Sequence, residues 1–552
     1  MAEMNYWQRR NIRLGRRQVL VGGATVAFAG TALALTGCGS DDDSSSGKTP
    51  ADSGATSQPS AGGTPKAPTG KAVIGLPNLG KQDYDPAHDA GTGELYVNHA
   101  VGEALAIMGP ENNVYVPGLA SKWETPDNTT WTFHLRDGVK CHDGSVLTAE
   151  DVKFSLERFK DPANKPVSGA RLGQVVDTIT TSGNAITLKL KAPIIMLPSI
   201  AAGEIYPQKA FDAAGGKFGD KPIGAGPFKF VSAEKDSKVV LETFTEHYRK
   251  VAQFQTLELR MIPEISTRLA SLQTGESDVM LGLSGPAIPS IEGDSKLKIN
   301  EQPSTSLNHL IFTDLLSKET YENSPWKDVR MRQAVAHAID LQAIIKKLYF
   351  GHAVPVAVPW AVPGLPGVPK LEPRGYDPQK AKALIEQAGH TGLKFDLYTY
   401  DSGAMGGNSD TAEAIATYLN AVGFQVQLKK MEIAAFFVDY RAKNWAGTGA
   451  LTVSVVAGRA AETFPDALNP DASTPYYYSP EMYADATKIV ETSDEKAQQA
   501  LIGALSQKLY DDLSNVPLVS QNYLEGLGER VKAWVPRNLI GYQIGMEYLE
   551  LK

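Results

Sequence analysis

Cysteine is nearly absent from this 552-residue chain: there are two, Cys38 and Cys141. Two cannot form a disulfide framework, so the fold must be held by its core. The short motifs of catalysis are missing too. No His-Glu-x-x-His, Cys-x-x-Cys, Gly-x-x-x-x-Gly-Lys-Ser/Thr or Gly-x-Ser-x-Gly occurs. Gly224-Ala225-Gly226 is followed by Pro227, which makes it a turn rather than a dinucleotide loop. Nine scattered histidines give no metal set; His134 alternates away from Trp131, Phe133 and Leu135, toward solvent. Excess basic charge is lacking as well. The net charge is −8, and without the first 37 residues (five arginines, one glutamate) it is −12. That argues against nucleic acid, which requires a basic face. After Leu35 no apolar run is long enough to span a bilayer.

What is present begins at the N-terminus. Arg9, Arg10, Arg13, Arg16 and Arg17 precede an uncharged stretch, 19–35, which ends in Leu35-Thr36-Gly37-Cys38. A basic head, a short apolar stretch and small residues before a cut describe an export signal. Leu35-Thr36-Gly37-Cys38 resembles the lipobox of bacterial lipoproteins. The resemblance implies an acylated Cys38 as the first residue of the exported chain, leaving Cys141 unpaired. Arg16-Arg17-Gln18-Val19-Leu20 resembles a twin-arginine (Tat) signal, with Gly15 where Ser or Thr is more usual. Residues 39–70 contain no Val, Ile, Leu, Met, Phe, Tyr, Trp or Cys. Such a stretch buries too little apolar surface to offset chain entropy, and is expected to be a disordered tether spanning roughly 30 Å.

The remaining residues suffice for two or three lobes. Ala72, Ile74 and Leu76 alternate as a strand, and so do Trp131, Phe133 and Leu135 before the Asp137-Gly138 turn. Thr148 and Asp151 stand at capping-box spacing ahead of Val152, Leu156 and Phe159, which predicts a helix over 149–160. Further strands are expected at 187–191 and 238–243. Residues 330–348 are expected to form one long amphipathic helix. The Pro- and Val-rich 354–369 is expected to be a rigid loop or crossover. Helices at 380–388 and 411–421, each ended by a glycine (Gly389, Gly423) and followed by alternation, point to an open α/β layer.

Residues 117–152 carry the most specific pattern: Pro117-Gly118-Leu119-Ala120-Ser121-Lys122-Trp123-Glu124, Thr130 to Lys140, His142-Asp143-Gly144 and Leu147-Thr148-Ala149-Glu150-Asp151-Val152. Gly224-Ala225-Gly226-Pro227-Phe228, Val329-Arg330-Met331-Arg332-Gln333-Ala334 and Tyr376-Asp377-Pro378 follow in order. From about Lys71 onward the chain resembles family 5 bacterial solute-binding proteins, which bind oligopeptides, dipeptides, nickel chelates or other solutes. The resemblance implies an α/β, two-lobed periplasmic-binding-protein-like fold (type II, large cluster) with an extra domain in the first lobe. It places the first lobe at 71–111, 223–305 and 515–552, the inserted domain at 112–222, and the second lobe at 306–514. The expected role is a substrate-binding lipoprotein of an ABC importer: extracytoplasmic, monomeric, held to the membrane through Cys38 and handing peptides to a permease with its ATPase subunits. Neither an enzyme activity nor a cofactor is expected.

One stretch departs from the family's pattern. Peptide binders of this family often carry a Trp-x-x-Asp segment in the second lobe, whose Asp neutralises the peptide's amino group. Around 451–466 this chain has none, and Arg459 stands where the acid is expected, with Gly458 before it and Glu462 after it. A cation opposes an amino group. A non-peptide solute (a sugar, an opine-like anion or a metal chelate) is therefore the alternative ligand, and an exported hydrolase is a remote one. Asn308, Trp360 and Trp445 complete the expected ligand-binding set.

Overall fold

The apolar run Ala72-Val73-Ile74-Gly75-Leu76 forms the strand Lys71–Leu76. It is buried on both faces, not on one as its alternation suggests, because it lies inside a sheet covered on both sides. The computed structural model describes residues 67–88, 92–109, 115–164, 170–194, 203–304, 306–400, 408–457, 460–469, 476–539 and 542–552. Arg16, Arg17 and Cys38 lie outside the described residues.

Lys71–Leu76 pairs in parallel with Thr256–Met261 on one side and Val279–Met280 on the other. Antiparallel strands complete this seven-stranded first sheet, whose order is Lys298–Gln302, Tyr523–Leu527, Val279–Met280, Lys71–Leu76, Thr256–Met261, Lys238–Thr243, Phe228–Glu234. Its core joins Ile74, Leu76, Val97, Phe228, Leu241, Phe254 and Leu259.

A separate four-stranded antiparallel sheet is built from residues 120–190. Thr130–Leu135 alternates as expected, with Trp131, Phe133 and Leu135 in its core. The helix Ala149–Lys160 lays Val152, Leu156 and Phe159 in the same core, and both halves of its Thr148/Asp151 capping box form. The turn at Gly224–Gly226 ties this sheet to the first. Gly226 N–H donates to Val101 O at 2.9 Å, and His142 Nε2 lies 2.9 Å from Gly226 O. A Cβ on Gly224 would meet Val101 O at 2.2 Å, and one on Gly226 would meet Gly102 O at 2.4 Å, so the approach requires glycine at both.

The second sheet has six strands in the order Ala353–Pro355, Val516–Gln521, Ser306–Phe312, Leu451–Ala457, Lys394–Tyr400, Gln425–Met431. The two helix–glycine–strand units give Lys394–Tyr400 and Gln425–Met431, which pair in parallel, and Lys394–Tyr400 is also parallel to Leu451–Ala457 on its other side. Three expectations need correction. Residues 330–348 form two helices, Val329–Ala338 and Leu341–Leu348. Ile339 is extended, and the Asp340 carboxylate accepts the Ala343 N–H at 2.9 Å, so a new N-cap interrupts the apolar periodicity. The Pro-rich segment is not all loop: Ala353–Pro355 pairs with Val516–Gln521. The return between sheets falls at Asn522 rather than 515, because Val516–Gln521 still pairs with Ser306–Phe312.

Pro68–Lys552 forms one compact unit. Among the described residues no helix is long and apolar enough to cross a membrane.

Candidate functional site

Two chain segments join the sheets. Lys298–Gln302 of the first sheet leads into Ser306–Phe312 of the second, and Val516–Gln521 of the second leads back into Tyr523–Leu527 of the first. Serines bind the crossings to each other. Ser520 Oγ lies 3.0 Å from Ser304 O and 2.9 Å from Ser306 O, while Ser306 Oγ meets Tyr523 OH at 3.1 Å. Two short crossings held side by side concentrate bending at one place, as a hinge requires.

From this crossing Ser306–Phe312 runs into the second sheet with alternating faces. His309 lies on one face. Its ring is fully buried, Asn515 Nδ2 contacts Nδ1 at 3.0 Å, and Nε2 has no partner among the described residues. Burial pushes its pKa down to about 3, so the ring is neutral at any physiological pH. Tyr476 packs edge-on against His309 with ring centroids 5.4 Å apart. Tyr476 then continues an aromatic chain: to Trp360 at 6.2 Å and to Tyr440 at 6.2 Å, which reaches Trp445 at 6.4 Å. Trp445 stacks on Tyr398 at 4.2 Å and 11° and lies in a core with Tyr400 and Phe436. Trp360 is fully buried at φ 56°, a left-handed backbone that bulky residues rarely adopt, and its indole N–H has no acceptor among the described residues. Burial raises the Tyr476 hydroxyl to about 12, with Tyr400 and Asp466 adding to it, so it stays protonated.

Asn308 falls on the opposite face. Its Nδ2 donates to Tyr349 OH at 2.7 Å, and Tyr349 OH meets Thr411 Oγ1 at 2.9 Å. The structure thus gathers Trp360, Trp445 and His309 on one side of the sheet and sends Asn308 into a separate hydrogen-bonded group. Gly458 and Arg459 lie outside the described residues; Glu462 belongs to the helix Ala460–Leu468, and its side chain also lies outside them. The hub of the aromatic chain, Tyr476, is not among the sequence-derived candidates. Its only signal is the run Tyr476-Tyr477-Tyr478.

The described residues hold no group of three or more His, Cys, Asp or Glu placed for a metal ion. Neutral donors and aromatic faces beside a hinge suit reversible, uncharged contacts. Two sheets joined by paired crossing segments give the two-lobed fold of the periplasmic-binding-protein type. The family "Bacterial extracellular solute-binding proteins, family 5 Middle" matches residues 114–491, more than half of the chain, and the chain belongs to that family. The dipeptide-binding protein of Escherichia coli is 31% identical over 312 residues, 51% of this chain and 57% of that protein. The chain thus spans a little over half the length of that relative. The glutathione-binding protein GsiB of Pectobacterium atrosepticum is 26% identical over 77% of this chain and 84% of its own length. Among solved structures, a putative peptide-binding protein AppA from Clostridium difficile superposes with a TM-score of 0.74 at 19% identity, covering 88% of this chain and all of that one.

Proposed function

We propose that the protein captures peptides by lobe closure outside the cytoplasm and delivers them to an ABC permease. The observation that carries this reading is the similarity to a dipeptide-binding and a glutathione-binding protein, joined to a hinge between two sheets. In a hinge receptor the closed state gains population only from contacts the ligand makes with both lobes. The first lobe is assigned residues 71–111, 223–305 and the chain after Asn522, with 112–222 inserted into it. The second lobe is assigned 306–521. Trp360 and Tyr476, with Gly458, Arg459 and Glu462, form the second-lobe wall. Trp445 supports that wall from behind, and Asn308 acts through Tyr349. Cys38 carries the lipid anchor, Arg16 and Arg17 direct Tat export, and the protein works as a monomer that returns its ligand unchanged.

Arg459 favours a second reading, in which the ligand is an anionic or neutral solute rather than a free-amine peptide. Thermal shift separates the two. A solute present at 100 times its dissociation constant stabilises by roughly 2.7 kcal/mol, enough to move the midpoint visibly. Free di- and tripeptides are expected to raise the midpoint, and N-acetylated ones to do so less if Glu462 pairs the amine. A shift with sugars, opine-like anions or nickel chelates, and none with peptides, would overturn the peptide assignment and leave the receptor role standing.

A further inference from the structure

The crossing strands are not the only tie between the sheets. After the helix Leu341–Leu348, which belongs to the second sheet's lobe, the chain turns through Phe350 (φ 54°) and Gly351 (φ 94°) before the strand Ala353–Pro355. Two consecutive left-handed residues, the first a phenylalanine, are an uncommon backbone. They make neighbouring side chains point into different lobes. Tyr349 points back into the second lobe, where it is bonded to Asn308 at 2.7 Å and Thr411 at 2.9 Å. Phe350 points the other way. It packs against the first-lobe cluster of Leu272, Met280, Leu283, Ile288, Ile291 and Leu524. His352 follows it across: Nδ1 is 2.9 Å from Glu301 Oε2 on the strand Lys298–Gln302, and Nε2 is 3.4 Å from Glu292 Oε1 at the end of the helix Ala287–Glu292. The return crossing is pinned to the same turn, since Asn522 N–H donates to His352 O at 3.1 Å.

We propose that the turn 349–352 is a latch, a third and noncovalent tie that sets the resting angle between the lobes. Its apolar tooth is Phe350, its polar clasp is His352 with Glu292 and Glu301, and its anchor is the Tyr349 hydroxyl. The anchor shares Asn308 and Thr411 with the second sheet and the helix Asn408–Ala421. A change at those residues would therefore be felt at the tooth. The latch sits beside the covalent crossings, where a small displacement of a side chain produces a large displacement of the lobe tips. The inference rests on the two-lobed fold alone, and does not depend on which solute is bound.

Spin labels test it in the full chain. In a Cys38→Ser background, Lys235→Cys on the first lobe and Lys382→Cys on the second give exposed labelling sites, while Cys141 is buried and stays unlabelled. A control pair, Lys235→Cys with Glu276→Cys, lies within the first lobe. Without ligand, Phe350→Ala combined with His352→Ala is expected to shift the inter-lobe distances. The ratio of long- to short-distance populations should change by about tenfold, with the control pair unmoved. An unchanged inter-lobe distribution overturns the latch. So does an equal change in the control pair, which would mean general loosening. If the double variant does not fold, His352→Gln alone, a partly exposed side chain, decides by the same two criteria.

Discussion

Glu525 carries the clearest consequence of burial at a single residue. It lies on the return strand Tyr523–Leu527, opposite Asn300, with its carboxyl fully enclosed. Burial pushes its pKa up to about 8 from 4.5, and the bond from Asn300 Nδ2 at 3.0 Å opposes this only in part. The folded protein therefore holds a proton that the unfolded chain releases above about pH 4.5. The carboxyl's contribution to stability is full below that pH and is lost as pH rises toward 8. Glu525→Gln is expected to match the parent at pH 5 and to be more stable at pH 9, by on the order of 3–5 kcal/mol, in urea unfolding. Among the candidate site residues, Trp360 and Trp445 draw attention in the sequence because tryptophan is rare and large. Tyr476 and Phe350 do not, since the roles proposed for them depend on a ring chain and a left-handed turn that no local spacing encodes. Arg459 remains legible only as a departure from its family's pattern.

Secondary-structure elements follow the sequence wherever a cap agrees with the apolar period. The helix Ala149–Lys160 is an example: spacing, capping box and buried face all coincide. Residues 330–348 are the counterexample. Apolar period continues through Ile339, yet the Asp340 cap divides the segment into two helices. Periodicity cannot register that break, because one capping carboxylate outweighs a favourable pattern only once the tertiary position of both helices is fixed. Asp340→Ala removes the acceptor for the Ala343 N–H. It is expected to lower stability by about 1 kcal/mol, read as a fall in the urea midpoint with an unchanged slope. The strand Ala353–Pro355 was similarly hidden, since three residues bearing a proline give no alternation to count.

At the scale of the whole molecule, the two-lobed α/β fold was legible through the family resemblance more than through periodicity. The exact crossing point was not, because Val516–Gln521 is apolar enough to suit either sheet. Long-range charge pairs were invisible to the sequence altogether. Glu103, ahead of the inserted sheet, meets Arg249 at 2.6 Å and His247 at 3.1 Å, and Arg249 reaches Glu547 near the C-terminus at 2.6 Å. Burial opposes the Glu103 charge, but Arg249 and His247 outweigh it and hold the pKa down at about 2. That stabilisation is present above pH 4.5 and lost as pH falls toward 2. Glu103→Gln is expected to cost roughly 2–4 kcal/mol at pH 7, and less at pH 3, in the same urea assay.

Peptide capture is best tested by native mass spectrometry of the full chain, incubated with a defined mixture of di- to pentapeptides and with sugars and opine-like anions in equal excess. A peptide receptor is expected to give 1:1 adducts whose masses match peptides of the mixture. Adducts with a sugar or anion, and none with any peptide, would rule peptide capture out.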